Sequence, residues 1–408
     1  MIDASKRQSI HGFVFACKNN TEKECIEKLL FGAKKAYGPV VIRIKKGDLL
    51  FLNNLNSNSL HGIFKAVSDG GFKIEPEAWK GRYPYQVKVE VLGEKIRIDN
   101  AKEILKKLGI KWNTSISGTE LAMLIDLFIL KHKESPTFLH DNRDKLLDLF
   151  LKEKTKIAED VTDEIPLIEA TTLWEFPKQN YGSTRKGDNK YPGVTPALVI
   201  YNLIWRYTDP GDLVVDPMCG SGTTIDVCKA EKRNVKGFDI LPTRPDITQS
   251  DARKLPLEDN SVDLVFVDPP YGDNIKYNNH PDNIGHLSSE SEEYYIELEK
   301  VMIECRRILK EGKILGWLIG DQWVKGKFTS VGFKVYEQLC KYFEPVDIVC
   351  VARRGQSSNT AIWYNRTSRY DFFLRGFKYL FIMRKVSKTT MLPTHHRKIY
   401  WNEYKRVR

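Results

Sequence analysis

Asp212-Leu213-Val214-Val215-Asp216-Pro217-Met218-Cys219-Gly220-Ser221-Gly222-Thr223-Thr224 reads as a buried strand, a glycine turn and a helix running through Val227 to Lys232. Glycine lets a backbone approach a ligand closely. The helix start adds unpaired N–H groups and the positive end of a dipole, which suit a carboxylate. A dinucleotide-binding turn would carry a third glycine three residues after the second, and Ile225 stands there. A phosphate loop would need Gly-Lys-Ser/Thr, and none follows.

The zwitterionic methionyl end of S-adenosylmethionine fits this turn better, with Asp216 facing its ammonium. The next strand, Val235-Lys236-Gly237-Phe238-Asp239-Ile240, ends on an acid suited to both ribose hydroxyls. Ile240 is expected to pack on an adenine. Asp251-Ala252 follows a short polar turn, and Asp251 is expected to accept from the adenine amine. One such aspartate is an ordinary loop residue. Three in order at strand ends form a cofactor signature.

Asp268-Pro269-Pro270-Tyr271 comes after Val262 to Val267, a run that reads as another buried strand. Pro and Asp also favour plain turns. Behind the cofactor signature the tetrapeptide acquires a chemical reading. The Asp268 carboxylate and the Pro269 carbonyl can accept both hydrogens of an exocyclic amine, and the Tyr271 ring can stack on a base. Two acceptors localise a nitrogen lone pair that is otherwise delocalised into the ring. That nitrogen can then attack a sulfonium methyl group without a strong general base. The base must leave its stack to reach such a pocket.

Residues from about 165 to 385 resemble the amino-methyltransferase family, which methylates exocyclic nitrogens of bases in DNA and RNA. The resemblance rests on Thr195-Pro196 before a helix, the turn containing Asp216, Pro217, Met218, Cys219, Gly220, Gly222 and Thr223, then Phe238-Asp239-Ile240, Asp251-Ala252 and Asp268 to Gly272. It implies an α/β, Rossmann-like, doubly wound seven-stranded domain with an antiparallel hairpin at one edge. It also implies S-adenosylmethionine as cofactor. Cys219 reads as a small packing residue, since a nucleophilic cysteine belongs to carbon-5 methylation.

The chain has 408 residues, room for two or three domains, and a formal charge of +11 that favours a polyanionic partner. A surface rich in ion pairs explains high charge content better than a net excess. No apolar run is long enough to span a bilayer and no signal peptide is read at Met1 to Lys6, so a cytoplasmic protein is expected. Seven scattered cysteines form no Cys-x-x-Cys pair, and His280 and His286 lack a third ligand, so no metal site is expected.

Residues 1–131 read as a separate domain. Strands are expected at 11 to 15, 40 to 44, Leu49 to Leu52, Gly62 to Val67 and Gln86 to Val91. A helix from Thr21 to Leu30 is expected to be capped by Thr21 with Glu24, and Asn53-Asn54 and Asn56-Ser57-Asn58 to be turns. Gly12 to Thr21, Gly47 to Leu52, His61 to Ala66, Ala78-Trp79 and Arg82 to Val87 resemble the DCD domain, a relative of PUA barrels. The resemblance implies a small PUA-like β-barrel that binds nucleic acid. Trp79, Arg82 and Tyr83 line it on that reading, or Trp79 is core.

Residues 132–164 read as a charged helical connector, 165–388 as the methyltransferase domain and 389–408 as a basic tail. Asn180 to Pro192 reads as a mobile loop near the cofactor. Arg353, Arg354, Arg366, Arg369 and Arg375 interleave with Trp363, Tyr364, Tyr370, Phe372 and Phe373, a pattern suited to phosphates and unstacked bases. Tyr277 and this segment are the expected determinants of the target base. RNA is favoured as substrate, ribosomal or transfer, at N4 of cytidine or N2 of guanosine. The alternative is a DNA methylase of a restriction system, acting on adenine N6 or cytosine N4. A catalytically dead modified-base reader is disfavoured by the intact motifs.

Overall fold

The computed structural model describes residues 11–116, 118–131, 166, 168–188, 190–324, 326–353, 366, 367 and 369–387. The connector at 132–164, Arg354, Trp363, Tyr364 and the tail at 389–408 lie outside the described residues. The chain divides into two compact units, Met1–Ile168 with Tyr181–Thr184, and Glu169–Asn180 with Arg185–Arg408.

In the first unit, β1 (Gly12–Cys17) runs parallel to β3 (Leu49–Asn54), with Gly12 opposite Leu49. β4 (Ser59–Ala66) and the long β6 (Tyr85–Asp99) continue the sheet antiparallel. β2 (Leu30–Ala33) and β5 (Gly71–Phe72) pair with β6, and β7 (Thr114–Ile116) closes the other edge on β1. The ladder is an open path from β2 to β7 among the described residues, so hydrogen bonding does not close the expected barrel.

Four helices accompany this sheet: α1 (Asn19–Glu27), α2 (Gly38–Arg43), α3 (Ala101–Lys107) and α4 (Gly118–Lys131). α4 packs Leu121 and Phe128 over Gly12 and Gly62, where a Cβ would stand 2.5 Å from Leu121 and 3.2 Å from Phe128. Three local expectations are corrected. The stretch from 40 to 44 is largely helical: Gly38-Pro39 starts α2, and Val40 and Val41 are buried from it. α1 begins two residues early, so Thr21 is not its N-cap; its hydroxyl accepts the Lys18 N–H at 3.0 Å, while Glu24 accepts the Trp79 N–H at 2.8 Å. Asn53 and Asn54 end β3 rather than form the turn, and Asn54 organises that turn by accepting N–H groups from Asn56 and Ser57. Trp79 is 3% exposed against Gly32 and Tyr83, which is the core reading and not the ligand-lining one.

The second unit holds β8 (Leu173–Glu175), β9 (Leu213–Asp216), β10 (Asn234–Asp239), β11 (Ile247–Gln249), β12 (Val262–Val267), β13 (Leu309–Ile319), a small hairpin of β14 (Gln322–Val324) and β15 (Lys327–Thr329), β16 (Glu344–Ala352) and β17 (Phe377–Arg384). The main sheet has the order β11-β10-β9-β12-β13-β17-β16-β8. β17 is antiparallel to both neighbours, and the remaining pairs are parallel. This is the doubly wound α/β sheet with an edge hairpin. It has eight strands instead of seven, because Leu173–Glu175 adds in parallel beside Cys350–Ala352.

Helices cover both faces: α5 (Ala197–Tyr207), α6 (Thr223–Ala230), α7 (Glu292–Ile308) and α8 (Val331–Tyr342). Every residue of β12 is buried, as a parallel strand covered on both sides requires. Val265 and Val267 join Leu298, Val301, Met302, Val335 and Leu339 in one core. On the other face Leu203 of α5 packs onto Gly316, where a Cβ would lie 2.9 Å away. Each fully buried large apolar side chain contributes roughly 1.5–3 kcal/mol. Among the described residues no helix is long and apolar enough to cross a membrane.

Candidate active site

The strand order reverses between β9 and β12, and ligands of such sheets bind at the carboxyl ends of strands beside that point. Four aspartates gather there. Asp216 ends β9, Asp239 ends β10, Asp268 follows β12 and Asp321 follows β13. All four line one cavity of about 470 Å³, a size typical of small-molecule sites.

The glycine turn shapes one end. Gly220 (φ +50°) and Gly222 (φ +81°) take left-handed conformations that cost other residues free energy. A Cβ on Gly220 would also meet the Tyr191 ring at 2.9 Å. The Gly220 and Leu241 N–H groups donate to the two Asp239 oxygens at 2.9 and 3.0 Å. Asp216 accepts from the Thr224 hydroxyl at 2.6 Å and the Met218 N–H at 3.1 Å. Burial still pushes its carboxyl up to about 7, with Asp268 and Asp239 adding to the rise. Burial raises Asp239 as well, against its backbone hydrogen bonds. Cys219 is buried with Ile225 and Ile247, and burial drives its thiol far up, so it is unreactive packing.

The other end centres on Asp268. The Tyr271 hydroxyl donates to its Oδ1 at 2.6 Å, the Thr195 hydroxyl donates to its Oδ2, and the Lys378 ammonium stands 3.6 Å from Oδ2. Tyr271, expected to stack on a base, lines the cavity and also holds Asp268 through its hydroxyl. Its ring packs against Gly320 and under Lys378, whose Nζ lies 5.0 Å from the ring centroid. Burial and the Asp268 charge raise its phenol well above the ordinary value, which keeps it a donor.

Of the residues expected at the cofactor, Thr195, Asp216, Pro217, Met218, Cys219, Gly220, Thr223, Asp239, Ile240, Asp251 and Ala252 line the cavity. Pro196 and Gly222 do not: Pro196 caps α5 and Gly222 caps α6. Pro269, expected to accept from the amine, is buried and does not line the cavity either. The Pro270 carbonyl accepts the Tyr294 hydroxyl at 2.7 Å. Asp251 is clamped by Arg253, which donates from Nε to both carboxylate oxygens and from Nη2 to Oδ2 at 2.6 Å. Asp251 still lines the cavity, and the clamp fixes its carboxylate there.

Among the expected nucleic-acid residues, Tyr277 and Arg353 line the cavity. Arg366 and Arg369 are exposed and do not line it; the Arg369 guanidinium sits 5.5 Å over the Tyr370 ring. Phe372, expected among the rings for unstacked bases, lines the cavity, and so do Lys378, Trp323 and Tyr191, which the sequence does not single out. Tyr191 lies 6.0 Å from Tyr277 ring to ring, and Trp323 stacks on Phe372 at 5.0 Å and 18°. The expected mobile loop is hydrogen-bonded to α6 and to itself: the Gly187 N–H donates to Asp226 of α6 at 2.8 Å, and the Lys186 N–H to Asn180 within the loop at 2.8 Å. His286 bonds the Asn278 carbonyl and His280 accepts the Asp282 N–H within one loop. Among the described residues no group of three His, Cys, Asp or Glu side chains is arranged to hold a metal ion.

The doubly wound sheet thus carries this acid-lined cavity at the carboxyl ends of its strands. Residues 262–407, starting at β12, match a family model described as DNA methylase, of the N6/N4 kind. Residues 11–128 match the development and cell death domain. Residues 11–128 are thus similar to a DCD domain and residues 262–407 to the N6/N4 DNA methylases.

A DCD domain-containing protein NRP-A of Glycine max is 35% identical over 133 residues, covering 30% of this chain and 36% of that protein. A type II methyltransferase M.BglII of Bacillus subtilis is 30% identical over 132 residues, covering 29% of this chain and 34% of that protein. The chain thus spans about a third of the length of either relative. The crystal structure of TrmN from Thermus thermophilus is similar at 17% identity and a TM-score of 0.33, covering 48% of this chain and 51% of that one.

Proposed function

We propose that this protein transfers a methyl group from S-adenosylmethionine to the exocyclic amine of a base in DNA. The observation that carries this is Asp268. A carboxylate held by Tyr271 and Thr195 stands in one cavity with Asp216 and Asp239, beside the glycine turn. The relative named a type II methyltransferase and the DNA methylase family model weigh toward DNA. The net charge of +11, which suggested RNA with the barrel, suits either polymer.

The residues fit the cofactor. Asp239 keeps acceptor capacity for ribose hydroxyls, Asp216 offers a carboxylate to an ammonium, and the first turn of α6 offers N–H groups to a carboxylate. S-adenosylmethionine supplies, when bound, an electrophilic methyl group. Tyr271 and Thr195 fix the Asp268 carboxylate so that its remaining lone pairs face an incoming amine. Accepting the amine hydrogens localises the nitrogen lone pair and offsets the positive charge that develops there. Tyr191 and Tyr277 offer aromatic faces, and Arg353 and Lys378 offer cations to a phosphate. The test is tritiated-methyl transfer to unmethylated genomic DNA and to total RNA. Incorporation into DNA that disappears with Asp268→Ala is expected; incorporation into RNA alone would move the substrate, and none into either would end the reading.

Two further outcomes follow from the electrostatics. Asp216 must ionise to face an ammonium, and its carboxyl in the free protein titrates at about 7. Cofactor affinity is therefore expected to rise as pH increases through about 7, with a proton released on binding below that pH. Calorimetry in buffers of differing ionisation enthalpy measures both. Lys378→Met removes the ammonium beside Asp268 and is expected to lower kcat about tenfold, with cofactor affinity within about twofold. Lys378→Arg is expected to recover part of the rate, and an unchanged kcat in Lys378→Met would show that the pair does not position Asp268.

A further inference from the structure

At the mouth of the cavity, the segment from Asp371 to Arg375 displays one ring to solvent. Phe373 is 85% exposed, while its neighbours on both sides are anchored. Phe372 stacks on Trp323 inside the cavity, and its N–H donates to the Thr367 carbonyl at 3.2 Å. Arg375 donates to the Phe373 carbonyl at 2.5 Å and lies 5.1 Å over the Phe328 ring. Asp371 has a φ of +50°, an uncommon conformation for a residue with a side chain. Such outliers persist where the surroundings hold them, and they gather at functional sites. Phe373 is thus an apolar ring held in water by a constrained turn, on the rim of the cavity that contains Asp268.

We propose that Phe373 is a wedge that enters the base stack of duplex DNA and fills the space left by the target base. This rests on the proposed function and extends it to how the base leaves the helix. Bringing a base to Asp268 requires unstacking and unpairing, which costs free energy in a duplex and far less in a single strand. Apolar side chains inserted at a base step are a known physical means of offsetting that cost. The surroundings suit this occupant. Arg353 is exposed, lines the same cavity and complements a phosphate, whereas an apolar protein surface would leave that cation poorly matched. The Trp323–Phe372 stack, one residue away in sequence, offers a second aromatic face inside the cavity for the extruded base.

The experiment compares native and heat-denatured preparations of one unmethylated genomic DNA as acceptors of tritiated methyl groups. Phe373→Ala is expected to lower transfer to the native duplex about tenfold or more and to lower transfer to the denatured strands by much less. Phe373→Trp is expected to retain most duplex activity. Thermal melting and cofactor affinity of each variant establish that the fold and the cofactor end are intact. Equal loss on both forms of DNA, or loss on neither, overturns the wedge. An unsubstituted protein that methylates only denatured DNA or RNA also overturns it, while the amine-methylation reading stands. Failure to methylate any nucleic acid overturns that reading and the wedge together.

Discussion

Asp268→Ala is expected to lower kcat by about 10³-fold, the scale seen when one preorganised electrostatic contact to a developing charge is removed. That corresponds to about 4 kcal/mol of transition-state stabilisation. Its carboxylate accepts from Tyr271 and Thr195 and pairs with Lys378, contacts that fix it in place as an acceptor. Truncation also leaves two hydroxyls and an ammonium without their carboxylate in a largely buried site, so some loss of thermal stability accompanies the loss of rate. Cofactor affinity moves the other way or not at all. The Asp268 charge helps to raise the Asp216 carboxyl, and its removal eases ionisation of the group that faces the ammonium. Single-turnover transfer beside calorimetric cofactor binding separates the two effects. A variant that kept its transfer rate would remove Asp268 from the chemistry.

Asp239→Ala is expected to weaken S-adenosylmethionine binding about 100-fold, the loss of roughly two charge-assisted hydrogen bonds. At saturating cofactor kcat should change little, because Asp239 lies away from the amine end. Part of the effect is local folding. The same carboxylate accepts the Gly220 and Leu241 N–H groups, so it ties the glycine turn to the end of β10. Asp239→Asn keeps one acceptor oxygen and is expected to lose only about tenfold. Equal affinities for the unsubstituted protein and Asp239→Ala would remove the ribose assignment.

Much of the second unit was legible because its signals are local. The run Val262 to Val267 is apolar on both faces save Asp263, and such a run in an α/β chain is a buried parallel strand. Glycines at 220 and 222 announced a tight turn, and both have positive φ. The misreadings arise where non-local contacts prevail. Val40-Val41-Ile42 has β-branched residues yet lies in a helix, because Gly38-Pro39 starts one and the core takes Val40 and Val41. Leu173–Glu175 became an eighth strand through a partner more than 170 residues away, which no local pattern encodes. The cavity shows the same division. Its aspartates follow strands and are legible, whereas Tyr191, Trp323 and Lys378 come from separate loops and strands. The clamp of Arg253 on Asp251, two residues apart, has no signature in the sequence, since a nearby Arg and Asp need not pair.

The central claim is that this cavity methylates the exocyclic amine of a base in DNA. Its most direct test is mass spectrometry of the nucleosides released from unmethylated DNA after incubation with the protein and S-adenosylmethionine. The expected product carries its new methyl on an exocyclic nitrogen, as N4-methylcytosine or N6-methyladenine, and is absent with Asp268→Ala. A methyl group on a ring carbon, or no methylated nucleoside at all, would contradict the account.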